Sequence, residues 1–184
     1  MLVRPADPAD AHGIAVVHVR AWQAAYRGLM PQEVLDRLSI PQREAGWERI
    51  LSGTGTGTGA GTRAGRAGAR GPASRTIVAE ADGEVVGWAS FGEPRDDGSD
   101  GGELWGLYAH PAVWSRGVGH ALITAVEQEL REDGHRSAYL WVLDGNVRAA
   151  AFYESHGWIE DGATKVEERP GLTLLERRRV TQFA

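Results

Sequence analysis

The stretch ELWGLYAHPAVWSRGVGHAL, residues 103–122, decides how this chain is read. GELWGLYAH (102–110) reads as a core strand, and Pro111 ends it with a turn. Arg116-Gly117-Val118-Gly119 then opens a helix predicted to run from about Gly117 to Asp133, with Ala121, Leu122, Ala125, Val126 and Leu130 facing inward. Gly134 is placed to stop it. Gly117 and Gly119 lack Cβ, so a bulky anion can come close to the backbone. The first N–H groups of a helix have no intrahelical partners, and the helix dipole favours negative charge there. The junction therefore reads as a pyrophosphate cradle, to which Arg116 adds a charged contact. Taken by themselves, the same four residues also suit a tight turn with a small-residue packing contact.

Working outward toward the C-terminus, SAYLWVL (137–143) is a strand and Asn146 to His156 a helix stopped by Gly157. Two closing strands, roughly 163–169 and 172–179, meet at Pro170-Gly171. Toward the N-terminus, TIVAEA and EVVGWASF flank Asp82-Gly83, the strongest short hairpin signal, and a polar loop covers Asp96 to Gly102. Residues 52–74, SGTGTGTGAGTRAGRAGARGPAS, lack the Gly-Lys-Ser/Thr ending of a phosphate loop and read as a flexible Gly-rich insertion. Residues 2–5 form a first strand. Asp7-Pro8 and Asp10 cap a helix to about Tyr26, with Ile14, Val17, His18 and Ala21 on one face. A second helical stretch, Gln32 to Leu51, is broken near Pro41. The order is α+β around one sheet.

Composition narrows the function. The 184 residues (19.8 kDa) suit one domain spanning 1–184. No run approaches ~18 apolar residues, and the N-terminus has no apolar signal core, so neither a membrane partner nor secretion is expected. The absence of cysteine excludes disulfides, thiolate-held metal and a cysteine nucleophile, and agrees with a cytoplasmic location. A net charge of −5 argues against a nucleic-acid partner. Lys165 is the only lysine. His12 and His18 stand six apart and lack metal-like spacing, so no metal is expected. There is no G-x-S-x-G elbow for a serine hydrolase. A homodimer is the commonest assembly on general grounds.

A second segment, LWVLDGNVRAAAFYESHGW (140–158), puts Asn146 at a helix start and Tyr153 two turns later on nearly the same face. With L-Y-A-x-P (107–111) and R-G-V-G (116–119), the pattern N-x-x-A-x-x-x-Y-E-x-x-G-W (146–158) resembles the GNAT superfamily of N-acetyltransferases, at that family's mutual spacing and over nearly the whole chain. The resemblance implies a GNAT-like fold, a mixed sheet of about six to seven strands flanked by helices. It also implies acetyl-CoA as co-substrate and transfer of acetyl to a primary amine of a small molecule or peptide by direct attack. Backbone groups of Leu107, Tyr108 and Ala109, on a strand that splays from its neighbour, would hold the pantetheine arm. The N–H groups from Ser115 through Arg116, Gly117, Val118 and Gly119 to His120 would hold the pyrophosphate. Asn146 would bond the cofactor near the splay, and Tyr153 would protonate the departing thiolate. Glu103 is the candidate base for the amine, because some relatives carry an acid there. The chain departs from the family pattern at Trp114, where Gln or Arg is common.

The resemblance also implies that the first helices and late strands wall the acceptor pocket. Trp22, Tyr26, Trp105 and Trp141 are its candidate liners, since aromatic faces with acidic residues suit a cationic amine. An alternative reading keeps the fold as a non-catalytic acyl-CoA-binding or sensory module; the joint presence of Asn146 and Tyr153 argues for the enzyme. A dinucleotide oxidoreductase fits poorly, because no G-x-G-x-x-G follows the first strand.

Overall fold

The computed structural model describes residues 1–53, 74–96, 98–169 and 172–183. Most of the Gly-rich insertion and the Pro170-Gly171 turn lie outside them. One seven-stranded mixed sheet organises the chain, with strand order β1-β2-β3-β4-β5-β7-β6. In sequence, β1 (Leu2–Pro5) leads into α1 (Ala11–Ala25), α2 (Gln32–Asp36) and α3 (Ile40–Leu51). The meander β2 (Ser74–Ala81), β3 (Glu84–Gly92) and β4 (Gly102–Ala109) follows. Then come α4 (Val118–Glu132), β5 (Ser137–Leu143), α5 (Val147–Ser155), β6 (Ile159–Arg169) and β7 (Leu172–Gln182).

Strand alternation sorts the core into two layers. Ile77, Ala79, Ala89 and Phe91 face α4, where they meet Leu122, Ile123, Val126 and Leu130. Val78 and Trp88, one residue out of phase, face α1 and α3 and meet Ile14, Val17 and Trp47. The helix face read from sequence around Ile14 is buried, His18 included. On α4 the inward face is centred on Leu122, Ile123, Val126 and Leu130, with Ala121 and Ala125 at its margins.

Local signals explain the boundaries. Asp82 and Gly83 both have positive φ (54° and 80°), the conformation that a tight hairpin between twisted strands requires. Gly134, at φ 87°, ends α4 while the His135 N–H reaches back to the Leu130 carbonyl. Pro41 does not break the second helical stretch. The break falls at 37–39, and Pro41 sits in the first turn of α3, where its missing N–H is not needed. The strand expected from 163 begins at Ile159, because a register shift between Glu160 and Thr164, with Gly162 at φ 88°, lets it bend and continue.

The site is created by a failure of pairing. β4 and β5 are parallel neighbours only at Gly102↔Ala138 and Glu103↔Tyr139, although β4 runs on to Ala109 and β5 to Leu143. Beyond Glu103 the two strands diverge.

Candidate active site

The divergence opens a cavity of about 910 Å³. It runs from the start of α4, between β4 and β5, to the C-terminal part of α1, the middle of β6 and the first half of β7.

At one end lies the helix start. Gly117 caps α4 in the left-handed region, φ 84°, with no side chain supplying a cap bond. The first intrahelical bond runs from the Ala121 N–H to the Gly117 carbonyl, so the N–H groups of Val118, Gly119 and His120 fall outside the helical ladder. The Arg116 N–H differs from the expectation: it donates to the Val113 carbonyl at 3.3 Å. The two glycines have separate reasons. A Cβ on Gly117 would meet nothing, so its need is the positive φ; one on Gly119 would come within 3.0 Å of the Phe152 ring on α5. Ser115, Gly117, Gly119 and His120 line the cavity. Arg116 is exposed and Val118 is buried in the core below, and neither is among the lining residues.

Trp114 takes a structural part that the sequence did not announce. Its indole N–H donates to the Ala109 carbonyl at 2.9 Å, tying the turn back to the end of β4. Its ring also carries the Arg148 guanidinium at 4.2 Å, which sets a cation at the cavity wall. His120 and His156, a residue not singled out from sequence, meet at 3.0 Å at the same end.

Leu107, Tyr108 and Ala109 of β4 line the cavity together with Asn146 and Tyr153. The Asn146 carboxamide oxygen accepts from the Ala149 N–H at 3.1 Å and so caps α5. Tyr153 is 8 % exposed, and burial, followed by the neighbouring Tyr108, drives its phenol well above its ordinary range. The hydroxyl therefore keeps its proton across the whole neutral range. Tyr26 and Tyr108 share a hydrogen bond at 3.1 Å, and burial raises both phenols as well.

At the far end, Trp22, Tyr26, Trp105 and Trp141 all contribute to the wall. Glu103 also lines it, but is 1 % exposed with both oxygens engaged. The Arg95 side chain donates to one oxygen at 2.5 Å, and the Arg95 backbone N–H (2.7 Å) and Tyr139 hydroxyl (3.1 Å) to the other. The Arg95 guanidinium lies 4.8 Å over the Trp105 ring. Trp141 donates to Asp96 at 2.7 Å, and Lys165 stands 4.4 Å over its ring. Arg178 approaches the same ring at 5.9 Å while paired with Asp161. Lys165, Glu176 and Arg95 were not read from sequence as site residues; they come from strands and a loop that only the folded sheet brings together.

Comparison with known proteins agrees with this architecture. The uncharacterized N-acetyltransferase YuaI of Bacillus subtilis is 29 % identical over 157 residues, covering 84 % of this chain and 78 % of that protein. A GCN5-related N-acetyltransferase from Rhodopseudomonas palustris superposes with a TM-score of 0.71 at 23 % identity, over 99 % of this chain and 95 % of the other. The PaiA N-acetyltransferase from Thermoplasma acidophilum, solved in complex with coenzyme A, gives 0.65 at 18 % identity over 99 % and 98 % of the two chains. Residues 39–158 match the profile of the acetyltransferase (GNAT) family, and with well over half of its length inside that match the chain belongs to this family.

Proposed function

We propose that the protein transfers the acetyl group of acetyl-CoA to a primary amine of a small molecule or peptide by direct attack. The observation that carries this reading is the cavity itself. One cavity is lined both by Gly117, Gly119 and His120 of the helix start and by Leu107, Tyr108, Ala109 and Tyr153 where β4 has left β5.

Each part has a chemical use. The helix-start amides suit a diphosphate, with Arg148 adding positive charge beside them. The edge of β4 from Leu107 to Ala109 offers main-chain donors and acceptors to the amide-bearing arm of the co-substrate. A donor aimed at the oxygen on which charge develops is typically worth ~3–4 kcal/mol. Asn146, its oxygen committed to the helix cap, offers its NH₂ donors on the opposite wall. Tyr153, held neutral by burial, is a donor for the thiolate as the C–S bond breaks. The incoming amine must be neutral, and a lysine-like amine has a pKa of about 10.4 in water. We assign its surplus proton to Glu103, a role that requires the Arg95 contact to loosen when the acceptor enters. Trp22, Tyr26, Trp105 and Trp141 then serve as the acceptor walls.

The test is Tyr153→Phe. A free-thiol release assay over a panel of primary amines should show turnover reduced about 10²-fold, the lower end for a positioned general acid, with acetyl-CoA affinity nearly unchanged. Equal turnover in the variant and the parent would remove Tyr153 from the mechanism.

A further inference from the structure

The far end of the cavity already holds a primary ammonium. Lys165 Nζ lies 4.4 Å from the centroid of the Trp141 ring and 3.3 Å from Glu176 Oε2, and all three residues line the cavity. The Trp141 ring is fixed by its own hydrogen bond to Asp96, and Glu176 sits on β7 directly across from Lys165 on β6. An aromatic face beside a carboxylate is the arrangement that binds organic cations.

Three features mark Lys165 as an exchangeable occupant. Its contact with Glu176 is longer than the ~2.7–2.9 Å of a tight charge-assisted bond. Its side chain is 33 % exposed, so it has room to swing away on a flexible stem. Its strand, β6, is the outermost of the sheet, next to β7 alone. With Lys165 displaced, Glu176 is a carboxylate left beside the Trp141 ring to meet an incoming cation.

We infer that Trp141 and Glu176 form a cation subsite for the acceptor, filled by Lys165 in the free protein, and that the preferred acceptors are diamines or basic side chains. One nitrogen of such a molecule reacts while the second, as an ammonium, replaces Lys165. The inference rests on the amine-acetyltransferase reading and narrows its substrate class.

Calorimetric titration of the CoA complex with 1,5-diaminopentane and with n-pentylamine tests it without requiring turnover. Saturable binding of the diamine, about tenfold tighter than that of the monoamine, is expected. Glu176→Gln should erase that preference, and Lys165→Gln should tighten diamine binding while leaving CoA affinity unchanged. Equal affinities for the two amines in the parent protein would overturn the subsite. So would a Lys165→Gln protein that loses thermal stability but binds the diamine as before, since Lys165 would then be a cross-strand ion pair and nothing more. Diamine binding with no thiol release from acetyl-CoA would leave the subsite standing and sink the transfer reading instead.

Discussion

At the scale of single residues, His18 sets a pH limit on the fold. It is fully buried, its ring stacked 5.7 Å from Tyr108 at 9° and packed near Trp22, Trp47 and Trp88. Neither ring nitrogen has a hydrogen-bond partner among the described residues. Burial, and after it the Arg43 charge, pushes its pKa well below the ordinary ~6.5. The unfolded chain therefore binds a proton at this position that the folded chain refuses, and stability falls as pH drops below ~6.5. Its slope approaches ~1.4 kcal/mol per pH unit for one proton. Thermal melts between pH 6.5 and 4.5 should show this loss, and His18→Phe should flatten it; an unchanged slope in the variant would assign the loss to other groups. His18 was readable from sequence as a core position through its spacing with Ile14 and Ala21. Its aromatic surroundings were not, because Trp47, Trp88 and Tyr108 come from three other elements.

At the scale of elements, the proposed cofactor cradle at the start of α4 would couple conformation to binding. Gly117 at φ 84° is the hinge between the Trp114 turn and the helix. An alanine there must either hold a left-handed conformation, at a cost of about 1–2 kcal/mol, or relax and turn the first helical amides. Gly117→Ala should therefore lower stability by roughly 1 kcal/mol and weaken CoA binding, measured by melting and by titration. Retained CoA affinity would mean that the cradle tolerates the shift. The helix start was legible because R-G-V-G precedes a clear amphipathic run, and the hairpin because Asp82-Gly83 permits few other structures. The true start of β6 was not legible. ATK after Gly162 carries no alternation that distinguishes a bulge from a loop, and the bend is set by pairing to β7. The ion pair that holds Glu103 was equally hidden, since its partner Arg95 lies in a polar loop with no periodicity.

At the scale of the whole molecule, the cavity joins both helical layers to the sheet, so a ligand filling it ties together α1, α4, α5 and the late strands. A ligand bound only by the native state adds ~2.7 kcal/mol at a hundredfold excess over Kd. For a chain of this size that corresponds to a melting-temperature rise of about 5–11 °C. Acetyl-CoA should produce such a rise and NAD should not; no shift with saturating acetyl-CoA would undo the acetyltransferase proposal. The element order gave the α+β class, whereas the insertion of β7 between β5 and β6 came only from the structure, because pairing partners distant in sequence leave no local mark.

The interrupted pairing of β4 and β5 has one more consequence. A sheet that stops pairing in its middle has two inner borders that lack a strand partner, as do the outer borders at β1 and β6. Outer borders invite stray chains to add on and aggregate. The inner pair lines a walled cavity, where the arm of the proposed co-substrate, with amides of its own, would find the main-chain partners that a neighbouring strand supplies elsewhere.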